Sequence, residues 1–270
     1  MTSPAGDDTA VWLRWLGQAG FELRAADGTV VFDPFASPFP GRRVSAMTSP
    51  TRLRAATAIL VSHEHADHFD LPLLADTLTA GCGPLLILPE PLLAAARAAG
   101  LPQDRLRPAQ PGTVLTVGDL RVDPVAAKHG VHVSDSYNFG TAISAGRVRY
   151  LGYVVTLGAV KVYHAGDTLD HPDLAGTLKT LGVDVALLPI NGRDRDREAE
   201  DLVGNLTAEE AADLAAQCGA RVVIPMHFDM FAGNPGDPDL FAALVAHRCP
   251  QLRVVIPQHG IEVNLKALLS

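Results

Sequence analysis

Cysteine is scarce in this chain: Cys82, Cys218 and Cys249 are the only three in 270 residues. They are odd in number and far apart, which excludes a disulfide framework and reads as reduced core thiols. Basic residues are also short. Lys and Arg number 22 against 30 Asp and Glu, the net charge is -8 and the pI is about 5.6, so no basic stripe can neutralise a phosphate backbone and nucleic acid is excluded as a partner. Long apolar runs are missing too. The stretch from Leu85 to Leu101 is broken by Pro89, Glu90, Pro91 and Arg97, so it cannot cross a membrane. Met1 to Ala10 has neither a basic n-region nor an apolar h-region, and the expectation is a cytoplasmic protein acting on a small molecule.

The 24 Gly and 20 Pro are scattered as turn signals and gather into no linker, so residues 1–270 read as one domain, with 47% hydrophobic residues to fill its core. Val11 to Leu16, Phe21 to Arg24 and Thr29 to Phe32 read as a β-meander halted by Asp33-Pro34. Strand Ala58 to Val61, helix Leu71 to Leu78, strand Leu85 to Leu88 and helix Pro91 to Ala99 then form a repeated β-then-α unit. A second β-rich block follows, with strand candidates at Val114 to Val117, Leu120 to Val125, Thr141 to Ala145, Arg149 to Leu157 and Val160 to His164. After it come helix Leu174 to Leu181, strand Val185 to Pro189, helix Thr207 to Cys218 with Glu210 completing a capping box, and strand Val222 to Pro225. The tail adds helix Pro238 to Ala246 and strands near Val254 to Ile256 and Ile261 to Val263. Two β-blocks, each followed by helices, predict an α/β four-layer αββα sandwich: two mixed sheets face to face with helices outside.

The densest chemistry lies in six residues, His63-Glu64-His65-Ala66-Asp67-His68. Three imidazoles and a carboxylate have no packing purpose at that spacing and suit zinc, manganese or iron, whereas a thiolate cage would have pointed to a structural zinc. An extended backbone would turn His63 and His65 the same way, and His68 would rise from the first turn of the following helix. His129, Asp167 and His227 each follow the end of an apolar strand, where loops gather ligands in α/β proteins. His132 rivals His129 for the ligand role, while His171, His247 and His259 read as structural.

The His-x-His-x-Asp-His run followed by single His, Asp and His residues resembles the metallo-β-lactamase fold superfamily of metal-dependent hydrolases. The segments Gly152 to Val155, Tyr163 to Thr168, Leu188 to Asp194 and Ile224 to Phe231 resemble the L-ascorbate-6-phosphate lactonase branch, with Gly204-Asn205, Glu210-Ala211 and Asn234 in the same pattern. The resemblance implies one or two divalent cations, a first at His63, His65 and His129 and a second at Asp67, His68 and His227, with Asp167 bridging. Such a pair lowers the pKa of water and polarises a carbonyl or phosphoryl oxygen. It also implies a catalytic Asp67, orienting the attacking water or shuttling a proton, and a His164 that backs a ligand, touches substrate or acts as a general acid. The lactonases it resembles assemble as homo-oligomers.

Asn191 to Arg197 reads either as a solvated charged loop or as an anion site, in which Arg193 and Arg197 form a fork and Asn191 and Asn205 add hydroxyl contacts. Trp12 and Trp15 read as core, and Asp33 as a cap or brace of the meander. The leading expectation is hydrolysis of a lactone or related ester of a small, polar, anionic, sugar-like substrate. Phosphodiester hydrolysis at the same centre, or a metal-holding sensor without turnover, are the alternatives. His65 stands where a diiron oxygen reductase on this fold would place a carboxylate, and Asp67 stands where a zincin needs its second His.

Overall fold

The computed structural model describes residues 10–137, 143–144 and 146–270. Strands β1 (Trp12–Gly17), β2 (Gly20–Ala25) and β3 (Gly28–Phe32) form the antiparallel meander. The short helix α1 (Pro50–Leu53) leads to β4 (Ala58–Leu60), α2 (Leu71–Thr77), β5 (Leu85–Pro89), α3 (Leu93–Ala98) and β6 (Leu106–Ala109), with β3 to β6 parallel. Then come β7 (Leu115–Val117), β8 (Leu120–Ala126), α4 (Val133–Ser136), a small hairpin β9 (Ile143–Ser144) and β10 (Arg147–Val148), β11 (Leu151–Leu157) and β12 (Val160–His164). The remainder is α5 (Leu174–Leu181), β13 (Val185–Pro189), α6 (Arg195–Ala199), α7 (Ala208–Gln217), β14 (Val222–Met226), α8 (Pro238–Arg248), β15 (Arg253–Val254), β16 (Glu262–Asn264) and α9 (Leu265–Leu269).

These strands build two mixed seven-stranded sheets, in orders β16-β1-β2-β3-β4-β5-β6 and β15-β14-β13-β12-β11-β8-β7. Alternation along the strands sorts the side chains into layers. Val30, Phe32, Ala58, Leu60 and Ile87 join the core between the sheets, while Val31, Ile59, Leu86 and Leu88 turn to the other face and pack against Leu73 and Leu74 of α2 and Ala96 of α3. In the second sheet β13 and β14 are buried at every residue, because α5, α7 and α8 cover the face that the first sheet does not. The predicted αββα sandwich is the observed one.

Several elements differ from those the sequence predicts. Pro91 lies in a short 3-10 turn, Glu90–Leu92, and the helix proper starts at Leu93. β11 starts at Leu151 rather than Arg149, and the last two strands are shifted to Arg253–Val254 and Glu262–Asn264. Of the strand expected at Thr141 to Ala145, positions 141, 142 and 145 lie outside the described residues. β6 was not foreseen because Arg107 and Pro108 interrupt its apolar pattern; it is an edge strand, where a missing N–H is tolerated. Trp15 is core but Trp12 is half-buried, and Cys82 is exposed, so the thiols are not all core residues. Among the described residues no helix is long and apolar enough to cross a membrane.

Candidate metal centre

β4, β8, β12 and β14 finish at one edge of the sandwich. β8 and β12 are both antiparallel to β11 and therefore run the same way, and β12, β13 and β14 are parallel. The residues just beyond these four strands include His63, His129, Asp167 and His227, all buried. The chain does not stay extended after Ser62, as the His-x-His spacing had suggested. It bends into a turn in which the His68 and Phe69 amides both donate to the His65 carbonyl, at 3.0 and 2.8 Å. α2 begins only at Leu71, capped by Asp70, so His68 belongs to this turn and not to the helix.

The turn brings the ligand atoms into two adjacent groups, His63, His65, His129 and Asp167 in one and Asp67, His68 and His227 in the other. In the first, His65 Nδ1 lies 2.9 Å from His63 Nε2 and 3.3 Å from His129 Nε2. Asp167 reaches toward both groups: Oδ1 is 3.3 Å from His68 Nε2, and Oδ2 is 3.4 Å from His227 Nε2 and 3.7 Å from His129 Nε2. Asp67 Oδ2 completes the second group at 3.6 Å from His227 Nε2 and 3.7 Å from His68 Nε2. Most of these separations are close to ~3.4 Å, the edge of a tetrahedron with arms of about 2.1 Å, the usual zinc-to-ligand length. His68 Nε2 and Asp167 Oδ1 are buried without a hydrogen-bond partner, as atoms awaiting a cation would be. The donor set fits a pair of divalent ions. His132 does not belong to it: the ring is exposed and bound to Asp201 Oδ2 at 2.6 Å, which leaves His129 as the ligand candidate.

The two groups differ in charge. Burial and neighbouring imidazoles push His63 well below its ordinary pKa, burial lowers His65, and burial brings His129 down to about 3, so this trio is neutral and presents lone pairs. Burial also opposes charge on His68 and His227, but the carboxylates of Asp167 and Asp67 outweigh it. His68 is raised well above its ordinary value and His227 to about 9. Asp67 and Asp167 are correspondingly held low: burial alone would raise them, and the His68 and His227 charges reverse this. The carboxylates thus give the second group the character of a cation site, where a bound metal would take the place of the imidazolium protons.

Asp33, expected only as a brace, orients a ligand on each side. Its Oδ1 accepts from the Ser62 amide at 2.7 Å, and its Oδ2 accepts from Ser62 Oγ at 2.6 Å and lies 2.7 Å from His68 Nδ1. A carboxylate only accepts, so His68 carries its proton on Nδ1 and can offer Nε2 to a metal. Ser62 Oγ, its own proton given to Asp33, accepts from His63 Nδ1 at 2.9 Å and frees His63 Nε2 in the same way. Gln18 was also missed. Its Nε2 lies 2.7 Å from Asp67 Oδ2 and 2.9 Å from His227 Nε2, and its carbonyl accepts from the His227 amide at 3.1 Å and from Trp15 Nε1 at 3.0 Å. No metal-ligand spacing marks either residue. Gln18, Asp33 and His227 all have left-handed backbones, at φ 52°, 39° and 61°, which is local strain held by the surrounding structure.

His164 does not have the catalytic place expected of it. The ring is buried, stacked 4.8 Å from Phe32, with Nε2 2.7 Å from the Ala19 carbonyl and Nδ1 accepting from the Gly166 amide at 3.2 Å. Both nitrogens are engaged by backbone, so the ring shapes the turn before Asp167 and has no free atom for substrate. Gly166 itself sits at φ +59°, and a Cβ there would come within 2.6 Å of the Ser62 Cβ.

A cavity of about 430 Å³ opens over the centre, bordered by Phe39, His65, Asp67, Val131, Asp167, Asp201, Leu202, Val203, His227, Phe231 and Asn234. The proposed anion fork is not part of it. Arg193 is bound to both carboxylate oxygens of Glu210, at 2.7 and 2.6 Å, and to the Asn205 carbonyl. Arg197 is held by Asp194 Oδ2 at 2.6 Å, the Asn191 carbonyl and Asn234 Oδ1. Asn191 and Asn205 are buried and bonded to each other at 3.0 Å, and Asn191 donates to Asn234. These four residues form a brace behind Asn234 and none of them lines this cavity, and α6, capped by Asp194, occupies what read as a charged loop. A second cleft of about 470 Å³, between Pro111 to Val114 and α5, contains none of the metal-ligand candidates.

Comparison with known proteins gives the same picture. A model described as "Beta-lactamase superfamily domain" matches residues 29–228. A UPF0173 metal-dependent hydrolase of Pyrobaculum calidifontis is 30% identical, over 86% of this chain and 91% of its own. One from Methanoculleus marisnigri is 29% identical, over 93% of this chain and 96% of its own. Among solved structures, the metallo hydrolase Igni18 of Ignicoccus hospitalis superposes with a TM-score of 0.70 at 21% identity, covering 94% of this chain and 97% of that one. None of these names specifies a substrate.

Proposed function

We propose that this chain, which belongs to the beta-lactamase superfamily and is a metal-dependent hydrolase, opens a lactone or a related ester of a small molecule. The observation that carries this reading is the meeting of two ligand groups around a shared Asp167 at the base of an open cavity. Divalent cations held there supply Lewis acidity and lower the pKa of water toward neutrality. His63, His65 and His129 would hold one and Asp67, His68 and His227 the other, with zinc or manganese the best match to nitrogen and oxygen donors and iron also accommodated.

Of the two carboxylates in the set, Asp67 is the more open to the cavity, with 19% side-chain exposure against 5% for Asp167. Gln18 fixes the Asp67 carboxylate from one side. Asp67 therefore orients the attacking water and passes a proton to the leaving oxygen; Asp201, the more exposed carboxylate of the same cavity, belongs to neither ligand group and is bound to His132. Asp67→Asn retains the shape and removes the acceptor charge. Its kcat for any turned-over lactone should fall about 100-fold or more, and turnover equal to the wild type would overturn the role. Preference for bis-nitrophenyl phosphate over lactones by orders of magnitude would overturn the substrate class.

A further inference from the structure

The cavity over the centre has one chemical character above its floor. Phe39, Val131, Leu202, Val203 and Phe231 form the wall, and among the described residues Asp201 is the one charged residue lining it besides the ligand candidates. Phe39 and Phe231 meet edge to face at 5.7 Å between ring centroids, and Phe35 supports Phe39 from behind at 5.8 Å. Phe39 is 43% exposed, so part of its ring is open to solvent beside the cavity.

No lysine or arginine lines this wall. The side chains of Arg42 and Arg197 are engaged elsewhere, and Arg43, whose amide donates to the Met230 carbonyl at 2.9 Å, is not among the lining residues. Arg42 lies over the Phe35 ring at 4.5 Å and donates to the carbonyls of Val44, Ser37 and Phe35, and Arg197 is held behind Asn234. Residues 1–9, 138–142 and 145, which lie outside the described set, include no lysine or arginine. A phosphate or carboxylate projecting from the reacting carbonyl would lose water against phenyl and isopropyl groups, and the charged group beside them, Asp201, is already paired with His132 and offers it no unpaired cation.

We infer that the part of the substrate lying beyond the scissile bond is uncharged and apolar, an aryl or alkyl group seated against Phe39 and Phe231. This rests on the hydrolase reading and replaces the anionic sugar expected from the sequence. It assigns Phe231 and Phe39 as specificity-determining residues, which touch the substrate without taking part in bond breaking.

The test compares three ligands that share one metal-binding head and differ only in the tail: acetohydroxamic acid, phenylacetohydroxamic acid and succinic acid monohydroxamate. Titration calorimetry on the zinc-loaded protein should give a Kd for the phenyl compound about tenfold below that of the acetyl parent, the value of half-burying one aryl ring. The succinyl compound should bind no tighter than the parent. In Phe231→Ala the phenyl advantage should fall below about threefold; Phe39→Ala, on a more exposed residue, serves if that variant does not fold. A succinyl compound binding as tightly as the phenyl one, or a phenyl advantage surviving both substitutions, overturns the inference. Turnover of γ-phenyl-γ-butyrolactone and ascorbate-6-phosphate is measured alongside. Absence of turnover with the hydroxamate order intact overturns the hydrolase reading alone, and faster turnover of ascorbate-6-phosphate overturns the apolar substrate.

Discussion

Replacing Asp33 with Asn tests whether one carboxylate sets the metal-facing tautomer of His68. The residue is 1% exposed, and its two oxygens accept from the Ser62 amide, from Ser62 Oγ and from His68 Nδ1 at 2.6 to 2.7 Å. Asn preserves size and tolerates the positive φ of 39° better than most residues. It supplies one acceptor where two are required. If the amide oxygen faces the Ser62 amide, the amide nitrogen faces His68 and forces it to accept at Nδ1, moving the ring proton to Nε2, the atom that would hold the metal. If the amide is turned the other way, its nitrogen meets the Ser62 N–H donor to donor. Either arrangement costs about 1–3 kcal/mol of folding stability, and the first should weaken the second metal position about 10- to 100-fold. Asp33→Ala orphans the donors outright and should lose about 3–5 kcal/mol. Urea unfolding gives the stability, and zinc titration against a chelating competitor gives the affinities of both positions. A D33N protein with zinc affinities within twofold of the wild type would refute the tautomer argument even if its stability fell.

The brace behind Asn234 gives a contrasting expectation: Arg193→Met should cost about 1–3 kcal/mol by orphaning Glu210, with KM for any turned-over substrate unchanged, and a KM rise of tenfold or more would restore Arg193 to substrate binding. Metal removal should destabilise the fold as well as stop turnover, because a ligand at 100 times its Kd adds about 2.7 kcal/mol; a chelated protein with an unaltered Tm would contradict a site built into the fold. Glu22 is buried and held by Arg52 at 2.8 and 2.9 Å and by Arg14 at 3.2 Å, which pull its carboxyl below the ordinary value of 4.5 against the effect of burial. A lowered folded-state pKa means stability that is present above the unfolded value and lost as pH falls through the folded one. Glu22→Gln should therefore be less stable than the wild type at neutral pH, with the gap closing below pH 4.5, as measured by urea unfolding across that range; a gap constant with pH would remove the ion pair as its cause.

Much of the scaffold was legible because its physics is local. The Ala58 to Val61 strand, the helix at Leu174 to Leu181 and the capping box of Thr207 and Glu210 each declare themselves through neighbouring residues, and the structure contains all three to within a residue. The ligand candidates were legible for a related reason: clustered imidazoles and carboxylates lack any packing role, and strand ends are where such groups can remain polar. Asp33 and Gln18 carried no such mark. An aspartate before a proline and a glutamine in a turn have ordinary local explanations, and their partners are 29 to 49 residues or more away.

Arg193, Arg197, Asn191 and Asn205 were misread in the opposite direction. Their residue types suit an anion, but hydrogen-bonding capacity is spent on whatever lies closest, and Glu210, Asp194 and Asn234 lie closest. His164 lost its catalytic role in the same way, to two backbone groups. The sequence by itself determined the layer architecture, the ligand types and hence the class of metal chemistry, since periodicity and donor atoms are properties of the chain. Only the tertiary structure decided which polar groups remain free, which tautomers the ligands adopt and what lines the cavity, because those depend on partners brought together across the two sheets.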